Sequence, residues 1–262
     1  MVDFLLGRWV AVALVKDMAI VLRRLDYSET SQVLAVFTRQ HGQLRLIAKG
    51  VKRSTKTRVA TGIDLLEMGQ AVFSLRAGKE DNLATLTEWR QENGFAHLRH
   101  DLARLYAAQY AAEITSQLTE LHDPHTALFD ALTQFLDALA QGEVIATLVT
   151  YLWSLLQEIG LRPDLSRCAS CGRPVEDRGP LYFSSREGGT ICRDCEPAMV
   201  EKRRITPAVA RALAGGDQGD RSVALSAFDL LDYHFTELMS RPPRTSRLLR
   251  QAIAAQQKNQ DK

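Results

Sequence analysis

The stretch Cys168-Ala-Ser-Cys171, followed twenty residues later by Cys192-Arg-Asp-Cys195, contains all four cysteines of the 262-residue chain. A CxxC turn brings two thiolates close enough to bind one metal ion, and a second turn completes a tetrahedral set. We therefore predict one structural Zn²⁺ bound by Cys168, Cys171, Cys192 and Cys195. Such a closed site stabilises a fold and leaves no position for a reactive water. A redox-active pair, two disulfides and unliganded thiols are the alternatives.

The residues around these cysteines have their own pattern. Between the two turns, residues 178–191 are predicted to form a short hairpin with Leu181 and Phe183 on one face. Arg167, Arg173 and Arg193 lie where they could offset the negative charge of four thiolates on Zn²⁺, or they could simply lie on a solvated loop surface.

The first 90 residues contain five strand-length runs that are apolar or alternate with polar residues. Turn signals such as His41-Gly42 separate them. The runs are Ala19–Leu22, Val33–Phe37, Leu44–Ile47, Ala71–Leu75 and Leu83–Leu86. Five strands in so short a segment predict a small barrel such as the OB-fold, which commonly binds single-stranded nucleic acid.

A strongly basic segment lies inside this region. Between Arg39 and Ile63 there is no acidic residue, and the densest part, Lys49–Arg58, is rich in Gly, Ser and Thr. Lys and Arg neutralise phosphates, while small and hydroxylated residues let the backbone approach them. The predicted DNA-binding residues are Arg39, Arg45, Lys49, Lys52, Arg53, Lys56 and Arg58. The alternative is an ordinary solvated loop; the nearest aromatics, Phe37 and Phe73, follow a core pattern.

From Phe95 onward the apolar residues recur at helical spacing. Helices are predicted from Phe95 to about Leu118, from Asp123-Pro124 to Gly142, and over residues 144–159. Further helices are expected from Thr206-Pro207, over residues 226–239 and, as a short basic helix, over residues 244–250. Residues 81–160 hold 3 basic and 11 acidic groups, whereas residues 1–80 hold 13 and 7. The helical part therefore more plausibly meets protein partners than DNA.

The predicted fold class is α+β and multidomain. It combines an N-terminal OB-fold barrel, a helical bundle domain and an inserted zinc-ribbon-like module with four cysteines. We place the OB-fold domain at residues 1–85, the helical domain at 90–165 and 200–255, the zinc-binding module at 166–199, and a polar tail at 256–262.

Several classes of protein are disfavoured by what the chain does not contain. It has no clean signal-peptide core and no apolar run long enough to span a bilayer, so we expect a cytoplasmic protein. A phosphate-binding G-x-x-x-x-G-K-[ST] loop and the H-x-E and D-x-D patterns are absent, which disfavours a nucleic-acid enzyme. A zinc-ribbon scaffold that binds only proteins remains an alternative, and the basic segment argues against it.

With these features placed, the sequence resembles the bacterial RecO family over nearly its whole length. The resemblance depends on the order and spacing of several short motifs. They are Ala19–Thr30, Val36–Arg39 with Gly42, Ala48–Gly50, Leu155–Pro163 running into Cys168, and Pro243–Arg247.

The resemblance implies a non-enzymatic mediator of recombinational DNA repair. Proteins of this family bind single- and double-stranded DNA, anneal complementary strands, and work with RecR to load RecA onto DNA coated by single-strand-binding protein (SSB). It also implies an OB-fold, a helical domain and, in many members, a zinc-binding insertion. Lys49, Lys52, Arg53, Lys56 and Arg58 fall where the family has its basic loop. Association with the nucleoid would follow from these activities.

Overall fold

A computed structural model describes residues 12–52, 62–76, 83–175, 181–214 and 220–260. The chain forms two compact units. The first comprises residues up to Gly94 together with 119–126, and the second comprises 95–118 and the residues from 127 onward.

The first unit is a five-stranded closed barrel. Its strands are β1 (Val12–Asp26), β2 (Gln32–Thr38), β3 (Gly42–Ala48), β4 (Met68–Arg76) and β5 (Ala84–Asn93). They close in the order β1-β2-β3-β5-β4, with β3 and β5 parallel and the other pairs antiparallel. Inward-facing side chains such as Leu34, Leu46 and Phe73 fill the interior. This is the topology expected of an OB-fold, so the predicted barrel is confirmed.

Strand β1 is much longer than the predicted run Ala19–Leu22. It has 15 residues, because its first part pairs with β4 and its second part pairs with β2. The register of the β1–β2 pair shifts between Val21 and Arg23, where a bulge bends the strand. One long bent strand thus serves two neighbours, which is how a small sheet closes on itself.

Residues 119–126 belong to the barrel unit, although they follow the first long helix in sequence. Leu121 forms a bridge with Gln43, and the His122 N–H donates to the Gln43 carbonyl over 3.0 Å. Gly42, at φ +67°, faces Asp123 so closely that a Cβ there would lie 2.2 Å from the Asp123 carbonyl oxygen. The predicted helix start at Asp123-Pro124 is therefore wrong, because this segment is held against β3 and the helix begins at Thr126.

The second unit combines helices with a small sheet. The helices are α1 (Leu102–Leu118), α2 (Thr126–Ala138), α3 (Val144–Glu158), α4 (Pro207–Leu213), α5 (Arg221–Met239) and α6 (Ser246–Gln260). A 3₁₀ turn over Ala96–His100 precedes α1, and Asp101 separates the two by accepting hydrogen bonds from the N–H groups of Ala103 and Arg104. The predicted helix from Phe95 is therefore two elements.

The later helices follow their expected caps. The Thr206 hydroxyl caps α4, and the Asp220 carboxylate caps α5, which begins five residues before the predicted start. Helix α6 is longer than the predicted basic helix, and it continues through residues 256–260. None of the helices described has the length and apolar character that a membrane span requires.

The small sheet contains β6 (Asp164–Cys168), β7 (Leu181–Ser184), β8 (Gly189–Ile191) and β9 (Arg203–Ile205), in the order β6-β8-β7-β9. Strands β7 and β8 are the predicted hairpin, and Leu181 and Phe183 are both buried. The predicted fold class, with an inserted four-cysteine module, is confirmed.

Candidate metal centre and nucleic-acid interface

The four cysteines lie on two turns that the small sheet places side by side. Cys168 ends β6 and Cys192 follows β8, and these two strands are parallel neighbours. In the first turn the Gly172 N–H donates to the Cys168 carbonyl, and Gly172 adopts φ +73°. In the second turn the Cys195 N–H donates to the Cys192 carbonyl. Both turns therefore direct their thiols toward one point.

The arrangement of the sulfurs fits a tetrahedral metal site. All four Sγ atoms lie within 4.8 Å of one another, and those of Cys171 and Cys192 are 3.9 Å apart. Four thiolates at the usual Zn–S distance of about 2.3 Å would lie about 3.8 Å apart. Among the described residues, these four cysteines are the one group of three or more His, Cys, Asp or Glu side chains that lie close enough together to hold a metal ion. These cysteines could therefore bind one metal ion.

Arg173 is the arginine that contacts the sulfurs. Its Nε lies 3.3 Å from the Sγ of Cys171, and one Nη lies 3.8 Å from the Sγ of Cys192 and 2.7 Å from an Asp194 oxygen. The hydrogen bond from Arg173 lowers the pKa of Cys171 to about 6, which favours the thiolate. Arg167 instead donates to the Gly172 carbonyl.

On the barrel, Arg45 and Lys49 are the predicted DNA-binding residues with exposed side chains among those the structure describes. Arg45 lies in β3, and Lys49 is in the turn directly after that strand. The flanking Leu44 and Leu46 point into the core, so Arg45 lies on the outer face of the barrel.

Arg39 lies at the other end of the same hairpin. It follows β2, its N–H donates to the Met18 carbonyl, and its own carbonyl accepts from the Thr126 hydroxyl. Strands of seven residues separate Arg39 from Lys49 by about 20 Å. The barrel therefore does not bring Arg39 into one cluster with Lys49.

Lys52 forms an ion pair. Its Nζ lies 2.9 Å from an Asp26 carboxylate oxygen, and its N–H donates to the Thr30 carbonyl over 3.1 Å. The hydrogen bond from Lys52 lowers the pKa of Asp26. The beginning of the basic segment is thus attached to the β1–β2 turn. The other three predicted residues, Arg53, Lys56 and Arg58, lie outside the described residues.

Two residues near this surface were not identified from the sequence. Asp26 gives no sign in the sequence of pairing with Lys52, because the two are far apart along the chain. Tyr27 is 66% exposed directly after β1. A period-two pattern of Arg23, Leu25 and Tyr27 could have indicated a shared outward face. Phe37 and Phe73 are fully buried, as their patterns suggested.

These features define a class: a protein with a five-stranded OB-type barrel, a helical unit and a four-cysteine module. Two family models match the chain, Recombination protein O N terminal over residues 12–95 and Recombination protein O C terminal over residues 99–247. Together they cover most of it. The chain belongs to the RecO family of DNA repair proteins.

Curated relatives agree with this assignment. The chain is 33% identical over 213 residues to a DNA repair protein RecO of Anaeromyxobacter sp. (strain K), covering 81% of this chain and 82% of the relative. It is 34% identical over 184 residues to the protein of that name in Rhodopirellula baltica, covering 70% and 67%. The corresponding Halalkalibacterium halodurans protein is 32% identical over 200 residues, covering 76% and 75%.

Proposed function

We propose that this protein is a non-enzymatic recombination mediator. It binds single- and double-stranded DNA through the barrel, anneals complementary strands, and acts with RecR to load RecA onto DNA coated by SSB. The observation that carries the proposal is a pair of exposed cations, Arg45 on the outer face of an OB-type barrel and Lys49 in the turn after the same strand, in a chain of the RecO family.

Annealing by such a surface needs no reactive group. Two complementary strands repel each other through their phosphates, and bound protein hinders their pairing. A basic face that neutralises several phosphates lowers the repulsion, while the release of counterions supplies an affinity that falls steeply with salt. The barrel wall holds Arg45 in place because its neighbours Leu44 and Leu46 are anchored in the core.

The four-cysteine module has a structural role in this proposal. Cys168, Cys171, Cys192 and Cys195 would hold one Zn²⁺, and the bound ion would fix the two turns at the end of the small sheet. We also propose that residues 166–199 form this module and that residues 90–165 and 200–255 form the helical domain that meets protein partners. The protein would work in the cytoplasm on nucleoid DNA.

The test is annealing of complementary oligonucleotides coated with the cognate SSB, without ATP, over a salt series. Wild type is compared with Arg45→Glu/Lys49→Glu. We expect the wild type to anneal the strands, less well as salt rises, and the double variant to be inactive. Lys52 is paired with Asp26, so a charge reversal there would also break an ion pair. The Arg45→Glu/Lys49→Glu variant avoids this complication.

The matched control is Arg90→Glu/Lys258→Glu, which makes the same change in net charge at two exposed positions elsewhere. It should retain annealing. Equal loss in both double variants would mean that overall charge, and not this face, is responsible. No annealing by the wild type would refute the mediator function and favour a zinc-module scaffold that binds proteins. Adding RecR, RecA and ATP to SSB-coated single strands then tests loading, read as DNA-dependent ATP hydrolysis.

A further inference from the structure

The outer face of β1, β2 and β3 carries an ordered pattern of side chains. Arg23 and Leu25 lie two residues apart near the end of β1, and Tyr27 follows directly after the strand. The register pairs Arg23 with Ala35 and Leu25 with Val33. It then pairs Ala35 with Arg45 and Val33 with Ile47. Directly opposed residues of antiparallel strands point to the same side of the sheet.

Three rows therefore cross this face. An arginine row contains Arg23, Ala35 and Arg45, and an apolar row contains Leu25, Val33 and Ile47. The third begins at Tyr27, whose N–H donates to the Ser31 carbonyl over 3.0 Å, so the pairing of β1 with β2 continues to this residue. Lys49 is exposed in the turn directly after β3.

The exposure of the aromatic and apolar members is high for a barrel wall. Leu25 is 58% exposed and Tyr27 is 66% exposed, whereas Leu34 and Leu46, on the inner side of β2 and β3, are fully buried. The Tyr27 ring therefore presents a large surface to solvent, and Leu25 lies between it and Arg23 along the chain. Sites for single-stranded nucleic acid combine aromatic rings, on which the bases stack, with cations that contact the phosphate backbone.

The Asp26 carboxylate, which precedes Tyr27 in the sequence, is paired and therefore repels an anionic ligand less than a free carboxylate would. Asp26 is paired with Lys52 and also accepts a hydrogen bond from Gln32, so its charge is offset. The same contacts fix the geometry, because the Lys52 N–H donates to Thr30 in the turn after Tyr27. Lys52 is thereby attached to the turn that follows Tyr27.

We propose that Tyr27 is a stacking platform for the bases of single-stranded DNA, with Leu25, Val33 and Ile47 as its apolar continuation and Arg23, Arg45 and Lys49 as phosphate contacts. This inference rests on the proposed DNA binding and deepens it, because it assigns a contribution that only single strands receive to one side chain. In a duplex the base faces are already stacked, so Tyr27 contributes only to single strands.

The test measures binding of an oligothymidine and of a duplex by fluorescence anisotropy over a salt series. Tyr27→Ala should weaken single-strand binding about tenfold, since a base–aromatic stack contributes on that order. The slope of log K against log salt should not change, because no phosphate contact is lost. Tyr27→Phe keeps the ring and should stay within about twofold of wild type. Duplex affinity should be the same for all three proteins.

The matched control is Leu14→Ala. Leu14 lies on the same strand and is 67% exposed, but it faces the region where β1 pairs with β4. Folding is not at risk in Tyr27→Ala, because the side chain is exposed and the backbone hydrogen bond to Ser31 is kept. A second readout is photo-crosslinking with a 5-iodouracil oligonucleotide, which should give a Tyr27 adduct identified by peptide mass.

Unchanged single-strand binding by Tyr27→Ala, or equal losses on single strand and duplex, would overturn the stacking assignment while leaving DNA binding intact. A crosslink confined to other residues would overturn it as well. Absence of any DNA binding by the wild type is a different result, because it would refute the proposed function itself.

Discussion

Replacing Asp26 with Asn should strengthen the binding of single-stranded DNA. The Asp26 carboxylate holds the Lys52 ammonium at 2.9 Å, so this cation is not free to contact a phosphate. Asn keeps the size of the side chain and an oxygen for the hydrogen bond from Gln32, but it removes the charge that attracts Lys52. The N–H of Lys52 still donates to Thr30, so the segment keeps its attachment.

The size of the effect follows from counterion release. One additional phosphate contact steepens the slope of log K against log salt by about 0.7 for a single strand, which corresponds to about fivefold tighter binding at 0.1 M salt relative to 1 M. The assay is fluorescence anisotropy of a labelled oligothymidine between about 0.05 and 0.5 M salt. Glu88→Gln is the control, because it removes an exposed carboxylate from β5 of the same barrel.

Two results would contradict this reasoning. If Asp26→Asn binds more weakly than wild type, the ion pair positions the basic segment, and its loss disorders a surface that DNA needs. If Glu88→Gln gives the same gain and the same slope, the effect reflects net charge, and release of Lys52 has no part in it.

Three further predictions concern the second unit. Burial lowers the pKa of His234 to about 4 from 6.5. The contribution of neutral His234 to stability is therefore fully present above pH 6.5, and about 3 kcal/mol is lost as the pH falls to 4. Urea unfolding at several pH values should show this loss in wild type and less of it in His234→Gln, whereas the exposed control His100→Gln should behave as wild type. Cys171→Ser should abolish the binding of one Zn²⁺ per chain, measured by elemental analysis, whereas the control Ser170→Ala should retain the ion. Zinc retained at full stoichiometry in Cys171→Ser would refute the ligand assignment. Glu113→Ala should lower the free energy of unfolding by about 1–3 kcal/mol, because Glu113 accepts hydrogen bonds from the N–H groups of Arg244 and Thr245. Glu113→Gln keeps one acceptor and should lower the free energy of unfolding less. Equal decreases in the two variants would argue against a role for these hydrogen bonds.

Much of the barrel could be predicted because its signals are local. Alternating apolar residues identified all five strands, since each strand has one face in the core and one outside. The pattern did not show that β1 extends over 15 residues, because its length depends on having two partners, β4 and β2. The helix start at Asp123 was wrong for a similar reason: a local capping signal was overridden by pairing of Leu121 with Gln43 in β3.

The cysteine site and the basic surface differ in how much the sequence reveals. Two CxxC turns impose their own geometry, so their spacing alone is enough to name four ligand candidates. The basic residues have no such local constraint. Arg39 and Lys49 are only ten positions apart, yet a hairpin places them at opposite ends, and Lys52 is paired with a residue 26 positions earlier.

The sequence by itself determined the type of each module: a small barrel, a set of helices, and a four-cysteine insertion with their order along the chain. Those properties depend on periodicity and short-range spacing, which a linear pattern records directly. Which side chains share a surface depends on the tertiary structure. Arg23 shares one face with Ala35 and Arg45 because strand register, a long-range property of paired backbones, places them there. Register depends on partners that are distant in sequence, and therefore no local pattern contains it.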